Sequence, residues 1–283
     1  MNILITGANS YIGTNVEQWI KSHTDYRVDT LDTMAETWRE MDFAPYDVVF
    51  HVAGIAHRKA TCKDKDIYFG VNRDLTLQVA QKAKEAGVEQ FIFMSSMSIF
   101  YGDCLPFHHI ISATTPTQPK GFYGESKLQA ENGLHALESD TFKVCILRAP
   151  MVYGKGAKGN FPRLIRLAAK TPLFPEFHNK RSMLYIDNLA EFVLQAITHQ
   201  LSGTFYPQNR ELSDTVEIVR HFAKAQNHSI CFCRWLNPFV RLASRFVQPV
   251  NKLFGTYYYA PEMSQMPFEY QLVTLEESLK RIK

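Results

Sequence analysis

Apolar and polar positions follow two rhythms along the first half of the chain. Short apolar runs of strand length fall at 3–6, 28–31, 47–52, 90–95 and 143–147. Between them lie stretches with helical spacing at 11–22, 66–86 and 122–137, and a short polar helix after the second run. In the 66–86 stretch Leu75, Val79 and Ala83 recur at helical intervals, and Gly87 follows as a stop before the next strand. Strands alternating with helices predict an α/β fold whose parallel sheet is covered on both faces.

After Pro150 the rhythm loosens. Gly154, Gly156 and Gly159 precede a helical stretch at 162–169 and a Pro-rich segment, and a further amphipathic helix at 187–197 reads as capped by Asp187. The expected organisation is a first domain over 1–150 and a smaller lobe over 151–283, interwoven because part of 182–206 returns to the main sheet. No internal repeat and no linker separates the two.

Composition changes this picture little. With 283 residues, 46% hydrophobic and 21% charged, the chain is globular rather than disordered. A net charge of +3 gives no reason to expect nucleic acid as a partner. The N-terminus lacks a secretory pattern, and no window holds the ~18 apolar residues of a spanning helix, so a cytoplasmic location is expected. Cys62, Cys104, Cys145, Cys231 and Cys233 form neither a disulfide framework nor a CxxC pair. Cys231 and Cys233 fall on one face of a strand. The histidines, including the pair His108-His109, show no HExxH spacing, and no metal site is expected.

Charge is uneven. Residues 218–261 contain no Asp or Glu but carry Arg220, Lys224, Arg234, Arg241, Arg245 and Lys252. Within them Trp235, Phe239, Leu242, Phe246, Val250 and Phe254 follow a helical face interrupted by Pro238 and Pro249. The leading expectation is a packed helix pair with a solvated polar face. Attraction for an anionic diphosphate and weak contact with an anionic membrane surface are the other two readings.

Two constellations carry chemistry. The turn Thr6-Gly7-Ala8-Asn9-Ser10-Tyr11-Ile12-Gly13 links the first strand to the first helix, where backbone amides and the helix dipole favour a pyrophosphate. Its middle position is Ser10, whose side chain either crowds the pyrophosphate or offers it a hydroxyl. Asp32 ends the second strand 19 residues after Gly13; a carboxylate there accepts from a ribose diol and repels a 2′-phosphate, favouring NAD over NADP. Asp42, Phe43 and the strand end His51-Val52-Ala53-Gly54 come in the order expected of adenine and ribose contacts along one sheet edge.

The second constellation is Tyr123-Gly124-Glu125-Ser126-Lys127, with Ser96 upstream. A spacing of four brings an ammonium one helical turn from a phenol, favouring the phenolate of a group that ordinarily titrates near ~10. Of 13 tyrosines only Tyr123 has lysine four residues on.

These motifs, with Val71-Asn72-Arg73-Asp74, Leu147-Arg148-Ala149-Pro150 and Arg181-Ser182-Met183-Leu184-Tyr185, resemble the extended short-chain dehydrogenase/reductase family, particularly its nucleotide-sugar epimerases. The likeness runs over about 1–197. It implies a Rossmann-type doubly wound parallel sheet with a smaller C-terminal substrate-binding lobe, NAD as cofactor and a homodimer built through 66–86 and 122–137. It also implies catalytic roles for Ser96, Tyr123 and Lys127. Tyr123 acts as general base or acid, Lys127 lowers its pKa and holds the nicotinamide ribose, and Ser96 bonds the reacting sugar hydroxyl. Gly7, Ser10, Tyr11, Ile12, Gly13, Asp32, Asp42, Phe43, Ala53, Asn72 and Pro150 fall at cofactor positions, and Asn160 and Arg181 at the substrate diphosphate. The sequence departs from the family at Ser10, at Ala56 and His57 where galactose epimerases carry a lysine, and at Phe100 in place of a tyrosine. Register on the fourth strand makes Ser96 the catalytic serine, with Ser98 the fallback.

The implied activity is a UDP-sugar 4-epimerase with reversible hydride transfer at C4 of a nucleotide-diphosphate sugar. A 4-keto reductase consuming NAD(P)H uses the same groups, and a non-catalytic NAD-binding sensor or scaffold is the alternative from another class. A 4,6-dehydratase is disfavoured, because Met97-Ser98 stands where such enzymes carry an Asp-Glu pair.

Overall fold

The computed structural model describes residues 1–56, 64–101 and 107–282; His57, Cys62 and Cys104 lie outside them. Six strands form one parallel sheet: β1 (Asn2–Thr6), β2 (Arg27–Leu31), β3 (Val48–His51), β4 (Gln90–Ser96), β5 (Lys143–Ala149) and β6 (Gly203–Phe205). Their order across the sheet is β2-β1-β3-β4-β5-β6. The chain runs outward from β1 to β2 and then returns to the other side of β1. The switch point therefore lies between β1 and β3, where open α/β sheets hold their ligands.

Side chains alternate faces along a strand, so each strand feeds two cores. Ile3, Ile5, Ile92 and Leu147 join one with Val16, Ile20 and Phe192; Leu4, Val49, Phe91 and Phe93 join the other with Val79, Ala83 and Leu134. The first face is covered by α1 (Tyr11–His23) packed on a later helix (Ile186–Thr198), the second by α2 (Thr76–Glu85) and α3 (Phe122–Leu137). The helix predicted over 66–86 is interrupted: a π-turn at Gly70–Leu75 separates Lys65–Phe69 from α2 and turns Asn72 fully inward. The Ile186–Thr198 helix starts after Tyr185 without a side-chain cap, and Asp187 sits in its first turn facing Arg281 at 3.2 Å instead of capping it.

The rest of the C-terminal half is built on short parallel pairs. Met151–Tyr153 runs beside Met183–Tyr185, Leu173–Pro175 beside Cys231–Cys233, and His108–Ile111 beside Thr256–Tyr259. The last pair threads a C-terminal strand onto a segment between β4 and α3. Cys231 and Cys233 do share a face, with sulfurs 3.5 Å apart.

One expectation is reversed. Helices α4 (Asn237–Ala243) and α5 (Gln248–Phe254) each begin with a proline in the first turn, which accounts for the break at Pro238 and Pro249. Only the far end of their apolar stripe packs: Val250 and Phe254 join the core, while Trp235, Phe239, Leu242 and Phe246 are exposed and Val240, off the stripe, is buried. Helix α4 thus solvates an apolar stripe as well as its polar groups. Among the described residues no helix is long and apolar enough to cross a membrane.

Candidate active site at the carboxyl edge of the sheet

At the switch point the fully buried His51 ring bridges the Thr6 and Thr76 hydroxyls at 2.7 and 3.0 Å, tying β1, β3 and α2 together. Burial pushes its pKa down to about 3, so it is a neutral core group. Gly7 follows with φ 90°, and a Cβ there would stand 2.9 Å from the Ala53 amide nitrogen. Only glycine fits between these two strand ends. The Gly7 and Ala8 amides donate to the Leu31 carbonyl at 2.9 and 3.1 Å, which ties the turn to the end of β2.

The Ser10 hydroxyl accepts from the Gly13 amide at 3.0 Å and so caps α1. It is turned into its own helix. Tyr11 packs beside Gly154, where burial raises its pKa and leaves its hydroxyl without a partner among the described residues. Ile12 packs against the core. Asp32 is exposed just beyond β2, its carboxylate accepting from the Met34 amide at 2.9 Å, and exposed Asp42 accepts from the Ala44 amide at 2.9 Å. The Phe43 ring, placed by sequence among the adenine and ribose contacts, is instead fully buried in one core with Leu4 and Trp38. Only its backbone remains for a ligand. A backbone-lined turn, a helix N-terminus and an exposed carboxylate after β2 fit a dinucleotide.

The second constellation gathers at the end of β4. Ser96 accepts from the Ser98 amide at 3.1 Å and donates to its hydroxyl at 3.2 Å. Gly124 lets α3 come down on this turn, since a Cβ there would lie 2.6 Å from the Ser98 carbonyl oxygen. That close approach brings the Tyr123 phenol near Ser96. Burial raises the Tyr123 pKa, and the Ser96 contact opposes it.

Lys127 is turned beneath the site. Its ammonium is buried, donates to the Met94 carbonyl at 2.7 Å and lies 4.4 Å over the Phe93 ring, close to Gly54. The backbone carbonyl draws it beneath the site, and burial pushes its pKa down to about 7. Between pH 7 and 10.5 the unfolded chain holds a proton on Lys127 that the folded chain does not, so this group makes stability rise with pH through that window. The urea midpoint of the wild type is expected to climb more steeply over this range than that of Lys127→Met. Equal slopes would show that the lysine keeps its proton on folding.

Asn72, a cofactor residue by sequence, spends its side chain on the scaffold. Its oxygen accepts from the Ile55 amide at 2.8 Å, and its nitrogen donates to the Ile55 carbonyl at 3.1 Å and to Ser126 at 3.2 Å. It fixes the loop after β3 against α3. Behind Lys127, fully buried Glu131 takes two hydrogen bonds from Arg148 and one from Ser95, with Arg148 Nη2 at 2.7 Å. Arg148 also donates to Tyr206 at 3.1 Å, and its carbonyl accepts from Tyr259 at 2.7 Å. Glu131 and Arg148 were not singled out by sequence. The local signal was Glu131's place four residues after Lys127.

The Met97 amide donates to the Ala149 carbonyl at 2.9 Å, which sets buried Pro150 beside the Ser96 turn. The Met97 carbonyl accepts from the Tyr257 hydroxyl at 3.2 Å, and Tyr257 in turn neighbours Arg181. The Arg181 guanidinium donates to the Lys252 carbonyl, has no carboxylate partner among the described residues, and is pushed down to about 10 by burial. Asn160 is exposed at the first position of the Asn160–Ala168 helix.

A parallel sheet with a glycine turn at its switch point and a Ser-Tyr pair on the same edge defines a dinucleotide-dependent enzyme. The chain belongs to the NAD dependent epimerase/dehydratase family, which matches residues 3–206. It is 32% identical over 254 residues to a UDP-glucose 4-epimerase of Vibrio cholerae, covering 79% of this chain and 75% of that one. An N-acetyl-alpha-D-glucosaminyl-diphospho-ditrans,octacis-undecaprenol 4-epimerase of Escherichia coli O157:H7 is 23% identical over 222 residues, 71% of this chain and 65% of the relative. The fold is shared with a UDP-glucuronic acid 4-epimerase from Bacillus cereus solved with NAD, at a TM-score of 0.76, 19% identity and coverage of 100% and 97%. NAD is the cofactor of the family, and the Gly7 turn and Asp32 are the residues that fit it.

Proposed function

We propose that the protein is a UDP-hexose 4-epimerase. The observation that carries this reading is the juxtaposition of Ser96 and Tyr123 where Gly124 lets α3 close on the end of β4. NAD bound on the Gly7 turn supplies a reversible two-electron acceptor. Tyr123 takes the proton of the sugar C4 hydroxyl and later returns it, while Ser96 bonds the same oxygen and holds the phenol in line. A buried phenol is a poor base until something favours its anion, and a Ser96 hydroxyl turned to donate to it does so. Protonated Lys127, one turn below, adds to the same effect. Arg181, a half-buried cation with no carboxylate partner among the described residues, takes the substrate diphosphate by charge-assisted bonds while the sugar turns.

An epimerase returns its cofactor to the starting state each cycle. The purified protein is therefore expected to carry NAD and to interconvert UDP-glucose and UDP-galactose, or their N-acetyl forms, with none added. Stoichiometric consumption of NAD(P)H would make it a 4-keto reductase, and cofactor binding without turnover on any of these sugars would make it a sensor or scaffold.

A second reading keeps the reaction and changes the carrier of the diphosphate. The E. coli relative is named for a polyprenol-diphosphate sugar. Here the segment that holds Arg181 through Lys252 also carries the exposed apolar stripe. Assaying a lipid-linked N-acetylglucosaminyl diphosphate beside the UDP-sugars distinguishes the two.

A further inference from the structure

The exposed large apolar side chains are not scattered evenly. Trp235, Phe239, Leu242, Phe246 and Val247 fall within α4, the 3-10 turn Arg234–Leu236 that leads into it and the turn after it, and Phe246 is 81% exposed. Four of them are spaced by four, three and four residues, which is the spacing of one helical stripe. The opposite side of α4 is anchored, with Val240 and Ser244 buried. The stripe is therefore held outward by packing behind it.

Charge selects the occupant. The segment lies wholly within the acid-free stretch 218–261. Arg234 is paired with Glu176 at 2.8 Å, but exposed Arg241 and Arg245 have no carboxylate partner among the described residues. A second copy of this chain docking through a two-fold axis would bring this acid-free basic face against itself, with no carboxylate of the segment to meet the arginines. An anionic lipid surface instead complements both parts: headgroups for the arginines, the acyl boundary for Trp235 and the phenylalanines.

The face is also tied to the site. At the end of α5 the Leu253 and Gly255 carbonyls accept from Asn179 at 3.1 Å, and the Lys252 carbonyl holds Arg181. From this juxtaposition we propose that the α4 face docks the protein on an anionic lipid surface. Trp235, Phe239, Leu242 and Phe246 enter the headgroup boundary and Arg241 and Arg245 meet anionic headgroups. This does not depend on which sugar diphosphate the enzyme takes.

Flotation of the full chain with phosphatidylcholine vesicles, and with vesicles containing about a quarter phosphatidylglycerol, tests it. Binding is expected only to the anionic vesicles and should weaken as salt screens it. Arg241→Gln with Arg245→Gln should weaken binding by about 25-fold, at roughly five-fold per basic side chain near an anionic surface. Phe239→Ser with Phe246→Ser should abolish it while leaving the thermal midpoint at or above wild type. Failure to float with the anionic vesicles overturns the proposal. So does equal binding to both vesicle types, or a dimeric mass that becomes monomeric in the Phe239/Phe246 variant without any vesicle binding.

Discussion

Tyr123→Phe is expected to lower turnover by about two to four orders of magnitude, the range that a positioned general acid or base contributes. Bound NAD should stay in place. The substitution removes one oxygen and keeps the ring that packs at 6.5 Å from Tyr68, so the approach of α3 to the Ser98 carbonyl is preserved. The lost atom is the phenol oxygen brought near Ser96. Initial-rate assays with UDP-sugars, with cofactor content measured on the same preparation, separate the chemical step from binding. Turnover within ten-fold of wild type would assign the proton transfer to another group.

The largest expected loss of stability lies one layer deeper. Glu131→Leu strips Arg148 of its carboxylate where the pair is almost closed to solvent, with side-chain exposures of 14% and 1%. An unpaired buried guanidinium costs about 3–5 kcal/mol, and at this chain length the melting midpoint should fall by roughly 10 °C. Removing both charges with Arg148→Met should recover much of the loss, because two neutral side chains leave no stranded ion. Calorimetry on the single and double variants checks this. A single variant that melts with wild type would show that solvent reaches the pair and screens it.

The parts of the site that were legible in sequence are those whose geometry is local. The turn at Gly7 and Gly13 sits between a strand and a helix that the apolar pattern already marks, and a spacing of four puts Tyr123 and Lys127 on one face whatever surrounds them. The direction of a side chain is not local. Lys127 shares a face with Tyr123 yet spends its ammonium on the Met94 carbonyl of a neighbouring strand. Phe43 stands at the right place along the chain, but the hydrophobic effect draws its ring into the core. The scaffold bonds of Asn72 are not legible, since the π-turn that aims it at Ile55 leaves no trace in periodicity. Arg148 and Tyr257 meet the site only through long-range pairing. The stripe at Trp235 shows the same limit in reverse: helical spacing reveals that a face exists, and tertiary packing decides whether it is covered.

The strand Thr256–Tyr259, laid beside His108–Ile111, bears on how such an enzyme could be re-engineered. A graft of a new substrate lobe cut at Pro150 would leave the segment between β4 and α3 without its partner, and Tyr257 would no longer brace the Met97 carbonyl next to Ser96. The lobe and the catalytic turn are thus one heritable unit. Recombination that alters specificity has to carry 108–111 along with the C-terminal third, and folding has to close that pairing across some 150 residues of intervening chain before the active site exists.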